Sequence, residues 1–431
     1  MKKLIYPSPV EISKALERPS AGIGDIDIIV KEVLARVRAE GDVALREFSL
    51  KFDGFAPASF KVEESSFQEA EKHVPEKIRD AMRAALASIT AFHTAQLQEP
   101  ETVETTKGVK CWSRDLAIEK VGLYIPGGTA PLFSTLLMLA IPARLAGCRD
   151  IILCTPPGKD GKINPLILYT ASLCGVTAIY TIGGAQAIAA MAYGTESIPA
   201  VCKIFGPGNR YVTRAKELVQ LEGIAIDMPA GPSELLVIAD ESANPSFVAA
   251  DLISQAEHGT DSQVIMLTDS RAMMEKVQRE VEEQVMKIGR SDIAGKSLAN
   301  SSLILLPDLD ECIRVSNLYA PEHLIIATYN PYIHASAVVN AGSVFLGNYS
   351  SESTGDYMTG PNHTLPTSGY ARSWSGLTTN SFRKRIFFQE VTARGLRVIG
   401  PATELLAGAE MLEGHRNAVS VRLKYLNDEQ N

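Results

Sequence analysis

The chain has 431 residues, enough for two or three domains with sizeable cores. Hydrophobic residues make up 45% and charged residues 21%, with mean hydropathy of +0.03, the balance of an ordinary globular protein. The net charge of −8 has no basic block to offset it, so nucleic acid is excluded as a partner class, and no apolar run approaches the roughly 18 residues of a membrane span.

Residues up to about Gly22 read as a polar arm punctuated by Pro7, Pro9 and Pro19. Lys2-Lys3 is followed by only three apolar residues before Pro7, which is no secretory leader. Ile26, Ile29, Val33, Leu34 and Val37 then define an amphipathic helix. A second follows Pro75, with Ile78, Met82, Leu86, Ile89 and Phe92 on one face. His73 and His93, at its two ends, read as partly exposed histidines without a role. The six cysteines (Cys111, Cys148, Cys154, Cys174, Cys202 and Cys312) lack close spacing and read as buried reduced thiols of a cytoplasmic protein.

From Ile118 the pattern changes. Short β-branched runs alternate with helical segments: Val121–Ile125, Thr135–Ala146, Ile151–Cys154, Leu166–Cys174, Ala178–Ile182 and Ala187–Tyr193. The alternation resumes after Pro232 and runs to Ala327, which predicts βαβ units in two α/β sections, about 120–230 and 232–375, with the early helices packed on one of them. The last fifty or so residues read as a separate tail ending in an amphipathic helix. Lys120, Lys203 and the run Arg383-Lys384-Arg385 read as solvated charges.

Sheets of this kind bind ligands beyond the carboxyl ends of their strands. Gly127-Gly128-Thr129, Gly183-Gly184-Ala185-Gln186 and Gly206-Pro207-Gly208-Asn209 each follow a strand and lead into a helix, where backbone amides suit an anionic ligand such as a nucleotide. None is a full G-x-G-x-x-G, and tight βα turns need glycine for steric reasons alone.

Three polar constellations stand out. Gln255 and His258 are three apart at the end of a helical pattern that Gly259 stops, so they share a face. An amide oxygen and an imidazole placed this way can begin a metal site or simply cap a surface helix. Pro321-Glu322-His323 precedes the apolar run Leu324–Ile326 and offers either two proton-transfer groups or a polar turn. The stretch 352–367 reads as a long loop carrying Asp356 and His363, and Glu410 and His415 fall in a tail helix over 404–415. His334 lies in a helical connection and has no assigned role.

These residues lie in strings that resemble one family. Tyr124-Ile-Pro-Gly-Gly-Thr-Ala-Pro, Gly183-Gly-Ala-Gln-Ala, Phe205-Gly-Pro-Gly-Asn, Met228-Pro-Ala-Gly-Pro-Ser-Glu, Ser254-Gln-Ala-Glu-His-Gly, Ala320-Pro-Glu-His-Leu and Asn362-His-Thr-Leu-Pro-Thr are similar, in content and order, to histidinol dehydrogenases, over about residue 25 to the end. The resemblance implies two incomplete Rossmann-like α/β domains with an N-terminal helical arm (1–24) and a swapped C-terminal tail (381–431) that packs on the partner of a homodimer. Residues 25–120 and 230–380 would form the zinc and catalytic domain, and 121–229 the domain with the NAD contacts.

It further implies zinc-dependent oxidation of L-histidinol to L-histidine through L-histidinaldehyde with two NAD, the last step of histidine biosynthesis, in the cytoplasm. One zinc per subunit would be held by Gln255, His258, Asp356 and, from the other subunit, His415. Glu322 and His323 match the catalytic pair. Substrate contacts would come from Ser233, Gln255, His258, Glu322, His323, Asp356, His363, Glu410 and His415, and NAD contacts from Tyr124, Gln186 and Asn209. Relatives in the family that oxidise other small polar alcohols, such as sulfonated diols, form the alternative. A zinc hydrolase would use Glu322 as a water-activating base but leave the glycine loops idle. Trp374 and the 383–385 run match no motif.

Overall fold

The computed structural model describes residues 1–19, 24–98, 100–127, 130–228 and 231–428. Gly128, Thr129, Pro229 and Ala230, which belong to two of the strings above, lie outside the described residues, as does Gly22 at the end of the predicted arm. The strands in chain order are β1 (Lys2–Ile5), β2 (Val103–Thr106), β3 (Val109–Ala117), β4 (Lys120–Tyr124), β5 (Asp150–Thr155), β6 (Ala178–Thr181) and β7 (Lys203–Phe205). They continue with β8 (Ala225–Ile226), β9 (Glu234–Ala239), β10 (Gln263–Thr268), β11 (Ser302–Leu305), β12 (His323–Ala327), β13 (Ser343–Leu346) and β14 (Arg383–Val391).

Two compact units result, Met1–Gln96 with Ile118–Phe382, and Leu97–Ala117 with Arg383–Asn431. The first holds two parallel sheets, in the orders β6-β5-β4-β7-β8 and β1-β11-β10-β9-β12-β13. The expected α/β class with Rossmann-like sections is therefore present. Apart from β1, which adds at one edge of the second, each sheet starts from a central strand, winds outward one way, then returns to the other side. β9 shows why its sequence suits this place. Leu235, Val237 and Ala239 pack with the helix Pro245–Ala256 on one face, while Leu236 and Ile238 pack with Ile12, Cys312 and Tyr319 on the other. Burial on both faces demands an unbroken apolar run, each side chain worth about 1.5–3 kcal/mol.

The N-terminal stretch carries more structure than its prolines suggest. Lys2–Ile5 pairs in parallel with β11 as the outer strand of the six-stranded sheet, and Ser8 caps the helix Pro9–Ala15 through a capping box with Glu11. The helix Gly24–Glu40 packs on the helices that follow Gly183 and Asn209. His93, expected to be partly exposed, is fully buried: it lies one turn past Ile89 on the inward face of its helix, and Thr379 donates to its carbonyl at 2.8 Å. Lys203 is likewise not solvated; its ammonium donates to the Ser381 carbonyl at 2.9 Å above the Phe205 ring. Burial of the thiols holds for Cys148, Cys154, Cys174 and Cys312, whereas Cys202 is exposed and Cys111 half-buried.

The second unit is an antiparallel sheet, β14-β3-β2, with the helices Ala393–Ala409 and Glu413–Asp428 packed on each other. Arg383–Arg385 begins β14, and Arg385 grips Asp115 at 2.7 and 2.8 Å.

Candidate active site

The helix Pro245–Ala256 starts on Asn244, whose side chain accepts from Ser246 N–H, with Pro245 in the first turn. Val248, Leu252 and Ile253 bury one stripe, and the helix ends just before His258. That end lies toward the amino ends of the strands. Gln255 is completely buried there, and neither atom of its amide has a hydrogen-bond partner. An orphaned buried amide costs about 1–3 kcal/mol, a cost that a group bound there would offset.

The ligating atoms of His258, Glu352 and Asp356 lie within 4.8 Å of one another. The stretch expected to be a loop from 352 opens instead as the helix Glu352–Tyr357, capped by Ser351, which puts Glu352 and Asp356 four apart on one face. Burial pushes the Asp356 carboxyl up to about 6 and lifts Glu352 well above the usual range, and Ser254 donates to Glu352 at 3.1 Å. Burial, then the neighbouring His363 and Arg290, lower the His258 pKa, although the residue keeps an exposed surface. Neutral imidazole, carboxylate and amide oxygen form a donor set that fits zinc.

Beside this cluster stand Glu322 and His323, at the amino end of β12. Both are buried, not a surface turn. The Glu234 N–H donates to Glu322 Oε2 at 2.9 Å, and His323 Nδ1 lies 3.1 Å from the Glu234 carbonyl. A carbonyl can only accept, so Nδ1 carries the proton and Nε2, which is buried without a partner, keeps a free lone pair. Burial pushes the His323 ring down to about 3 and lifts the Glu322 carboxyl well above its ordinary range, with the Glu234 charge adding to the lift. Gly342 makes this close approach possible, since a Cβ there would stand 2.5 Å from the Glu322 carbonyl.

Ser233 is half-buried just before β9, the strand next to β12. His363 has Nδ1 3.0 Å from the Asp356 carbonyl and Nε2 3.2 Å from the Thr135 hydroxyl, and burial pushes its ring down to about 4. These groups gather at the amino ends of β9 and β12. The helix Pro245–Ala256 runs back toward the strand starts, which puts these polar groups at the opposite end of the sheet from the carboxyl ends. In the other sheet Tyr124 ends β4, Gln186 and Asn209 follow β6 and β7, and β4 and β7 flank the point where the strand order reverses.

At that point the Tyr124 hydroxyl accepts from Gly184 N–H at 3.0 Å, and Gln186, nearly fully buried, has an orphaned Oε1 with Nε2 3.4 Å from Asp53. Asn209 caps its helix by accepting from Tyr211 and Val212 N–H. Gly206, at φ +123, passes so close to the Tyr124 carbonyl that any Cβ would clash. The structure thus brings together His258, Asp356, His363, Glu322 and His323, with Gln255 and Ser233 close along the chain to His258 and Glu234.

Glu410 and His415 belong to the second unit. The single helix expected over 404–415 is two, Ala393–Ala409 and Glu413–Asp428, separated by Met411 at φ +58, with both residues exposed. Glu352, Glu234 and Thr135 were missed in the sequence. The i,i+4 spacing of Glu352 and Asp356 was an available signal; Glu234 acts through its backbone, which no side-chain pattern reveals.

A histidinol dehydrogenase family model matches residues 16–423. Histidinol dehydrogenase of Bacteroides thetaiotaomicron is 53% identical over 426 residues, 99% of this chain and 100% of the relative, and that of Bacteroides fragilis 55% over 424 residues, 98% and 99%. The crystal structure of histidinol dehydrogenase from Elizabethkingia anophelis superposes with a TM-score of 0.97 at 50% identity, covering 99% of both chains. With identity of this order spanning whole chains, the protein belongs to the histidinol dehydrogenase family of oxidoreductases.

Proposed function

We propose that this chain oxidises L-histidinol to L-histidine through L-histidinaldehyde in two NAD-dependent steps, completing histidine biosynthesis in the cytoplasm. The observation that carries this is the cluster of His258, Glu352 and Asp356 with a bare His323 Nε2 3.9 Å from Asp356, at the helix end that also holds the partnerless, fully buried Gln255 amide. No helix among the described residues is long and apolar enough to cross a membrane.

One zinc per subunit would be held by Gln255, His258, Asp356 and His415 of the partner subunit, and would supply coordination for the substrate's imidazole and amino nitrogens. NAD, held by Tyr124, Gln186 and Asn209, would supply the hydride acceptor. His323 Nε2 takes the hydroxyl proton as hydride leaves the carbinol carbon, giving the aldehyde. Glu322, a stronger base than an ordinary carboxylate, draws a proton from water as its oxygen adds to the aldehyde carbon, while His323 returns its proton to the aldehyde oxygen to give the hydrate; the freed Nε2 then takes a hydrate proton as the second hydride leaves. Ser233, His363 and Glu410 orient the substrate.

In this reading residues 25–120 with 230–380 hold the zinc and catalytic groups and 121–229 hold NAD, while 381–431 packs on the partner of a homodimer. Support for the partner comes from the second unit alone: Leu405, Leu406, Met411 and Phe387 are each at least 70% exposed, more apolar surface than so small a unit leaves bare without a cover.

Purified protein with zinc, NAD and L-histidinol should produce two NADH per histidinol. No absorbance rise sinks the proposal, and a rise only with a sulfonated diol transfers it to that substrate. A His415→Asn chain mixed with a His258→Asn chain should regain part of the activity; proven heterodimers without any recovery would refute shared sites.

A further inference from the structure

We propose that Arg18 is a positioning residue for the proton-transfer pair: its guanidinium ties together the two backbone segments that aim Glu322 and His323. The inference rests on the proposed roles of those two residues. Arg18 follows the helix Pro9–Ala15 and meets Glu234, 216 residues later in the chain, in a forked ion pair, Nε to Oε1 at 2.5 Å and Nη2 to Oε2 at 2.9 Å. The Ser368 N–H donates to the same carboxylate at 2.8 Å. The flat, forked guanidinium fixes the carboxylate in plane as well as in place, which an ammonium cannot do.

The first tie runs through the Glu234 backbone. Its N–H and carbonyl are the groups that hold Glu322 Oε2 and His323 Nδ1. The carboxylate side chain of Glu234 touches neither group by hydrogen bond; beyond the charge it sets near Glu322, its pair with Arg18 acts on them by fixing the start of β9.

The second tie runs through Tyr319. Arg18 Nη2 also donates to the Tyr319 carbonyl at 2.8 Å, and the guanidinium carbon lies 4.0 Å from the centre of the Tyr319 ring. Tyr319 ends its helix, and the next residue, Ala320, is fully buried with φ +53. A residue with a Cβ holds that conformation only where its surroundings over-determine it. Pro321, Glu322 and His323 follow directly, so this turn sets where the pair points. One side chain thus braces the turn before the pair and the strand beside it, without hydrogen-bonding, among the described residues, to Gln255, His258, Asp356 or the glycine loops.

The test is steady-state kinetics of the zinc-loaded full chain, varying histidinol and NAD separately, with zinc content and thermal midpoint measured for each variant. Arg18→Met should lose about 30-fold or more in kcat, the scale of a misplacement near 1 Å, with both KM values within about twofold and zinc unchanged. Arg18→Lys should recover only part of the loss. Adding Glu234→Gln to Arg18→Met should restore activity about fivefold or more, because no unpaired buried carboxylate then pulls on β9. The proposal is overturned if Arg18→Met keeps kcat within twofold, or if kcat falls only in step with lost zinc and a lower midpoint. Should Arg18→Met not fold, Arg18→Lys decides alone: reduced kcat at intact KM supports positioning, and full kcat refutes it. A wild-type chain inactive on histidinol would overturn the functional reading itself, whereas an active wild type with indifferent variants overturns only the role of Arg18.

Discussion

His323 Nε2 stands 3.9 Å from Asp356 Oδ1, too far for a hydrogen bond, while its Nδ1 is engaged at 3.1 Å by the Glu234 carbonyl. The ring is oriented from one side and left bare on the other, where the cluster of His258, Glu352 and Asp356 begins. A base held this way should be indispensable to both hydride transfers. His323→Gln should lower kcat by about 10²–10⁴-fold. Glu322→Gln should spare formation of the first NADH and slow the second, measured by single-turnover absorbance. Equal losses in both phases would refute the division of labour.

Gln255 yields a stability prediction of opposite sign in two conditions. Its buried amide has no protein partner. Gln255→Met removes those polar atoms at similar volume, so chelator-treated protein should gain about 1 kcal/mol or more against urea. With zinc present the wild type gains further by mass action, and the variant should gain much less. A chelated variant less stable than chelated wild type would show that the amide is satisfied some other way.

The strand-helix alternation and the glycine loops were legible in the sequence because β4, β5 and β9 need unbroken apolar runs and tight turns need glycine. Gln255, His258, Glu322 and His323 were each visible as polar residues at element ends, yet each had an equally good surface explanation; the burial of Gln255, Glu322 and His323 is a tertiary fact. Two features left no local trace. Lys2–Ile5 is a strand only because β11 lies beside it. Arg18 and Glu234 meet across 216 residues, and no periodicity records such a pairing.

Lys216 and Asp227 form a fully buried ion pair around Gly206: Lys216 donates to the Gly206 carbonyl at 2.8 Å, and Asp227 accepts the Gly206 N–H at 2.7 Å and the Met228 N–H at 2.8 Å. Together they set the turn beside Tyr124. Lys216→Met should cost about 3–5 kcal/mol, since it strands a buried carboxylate. Where the variant is folded, KM for NAD should rise more than KM for histidinol. A rise confined to histidinol would contradict the placing of NAD on this loop.

Burial lowers the pKa of His93 below its ordinary 6.5, an effect that its contact with Gln96 only partly offsets. The folded protein therefore binds this proton less readily than the unfolded chain. The sign follows: the neutral ring's contribution is present above about 6.5 and is lost as pH falls from there toward the lowered folded value. His93→Gln should flatten the fall in unfolding free energy between pH 7 and pH 5, measured by urea titration. An unchanged slope would mean that another group dominates the acid limb.

The two helices of the second unit leave Leu405 and Leu406 at 76% and 70% exposure, a few residues from the Met411 break that precedes His415. If the partner subunit covers this face, a charge there is buried unpaired on association. Leu406→Glu should then weaken the dimer by several kcal/mol, while the isolated subunit keeps its fold because the side chain is already in solvent. Sedimentation should show monomer at concentrations where wild type is dimeric. Activity should fall with the dimer fraction, since a lone subunit would lack His415 of the partner subunit. A Leu406→Glu protein that is monomeric and fully active would detach the tail from the site; one that remains a tight dimer would place the interface elsewhere.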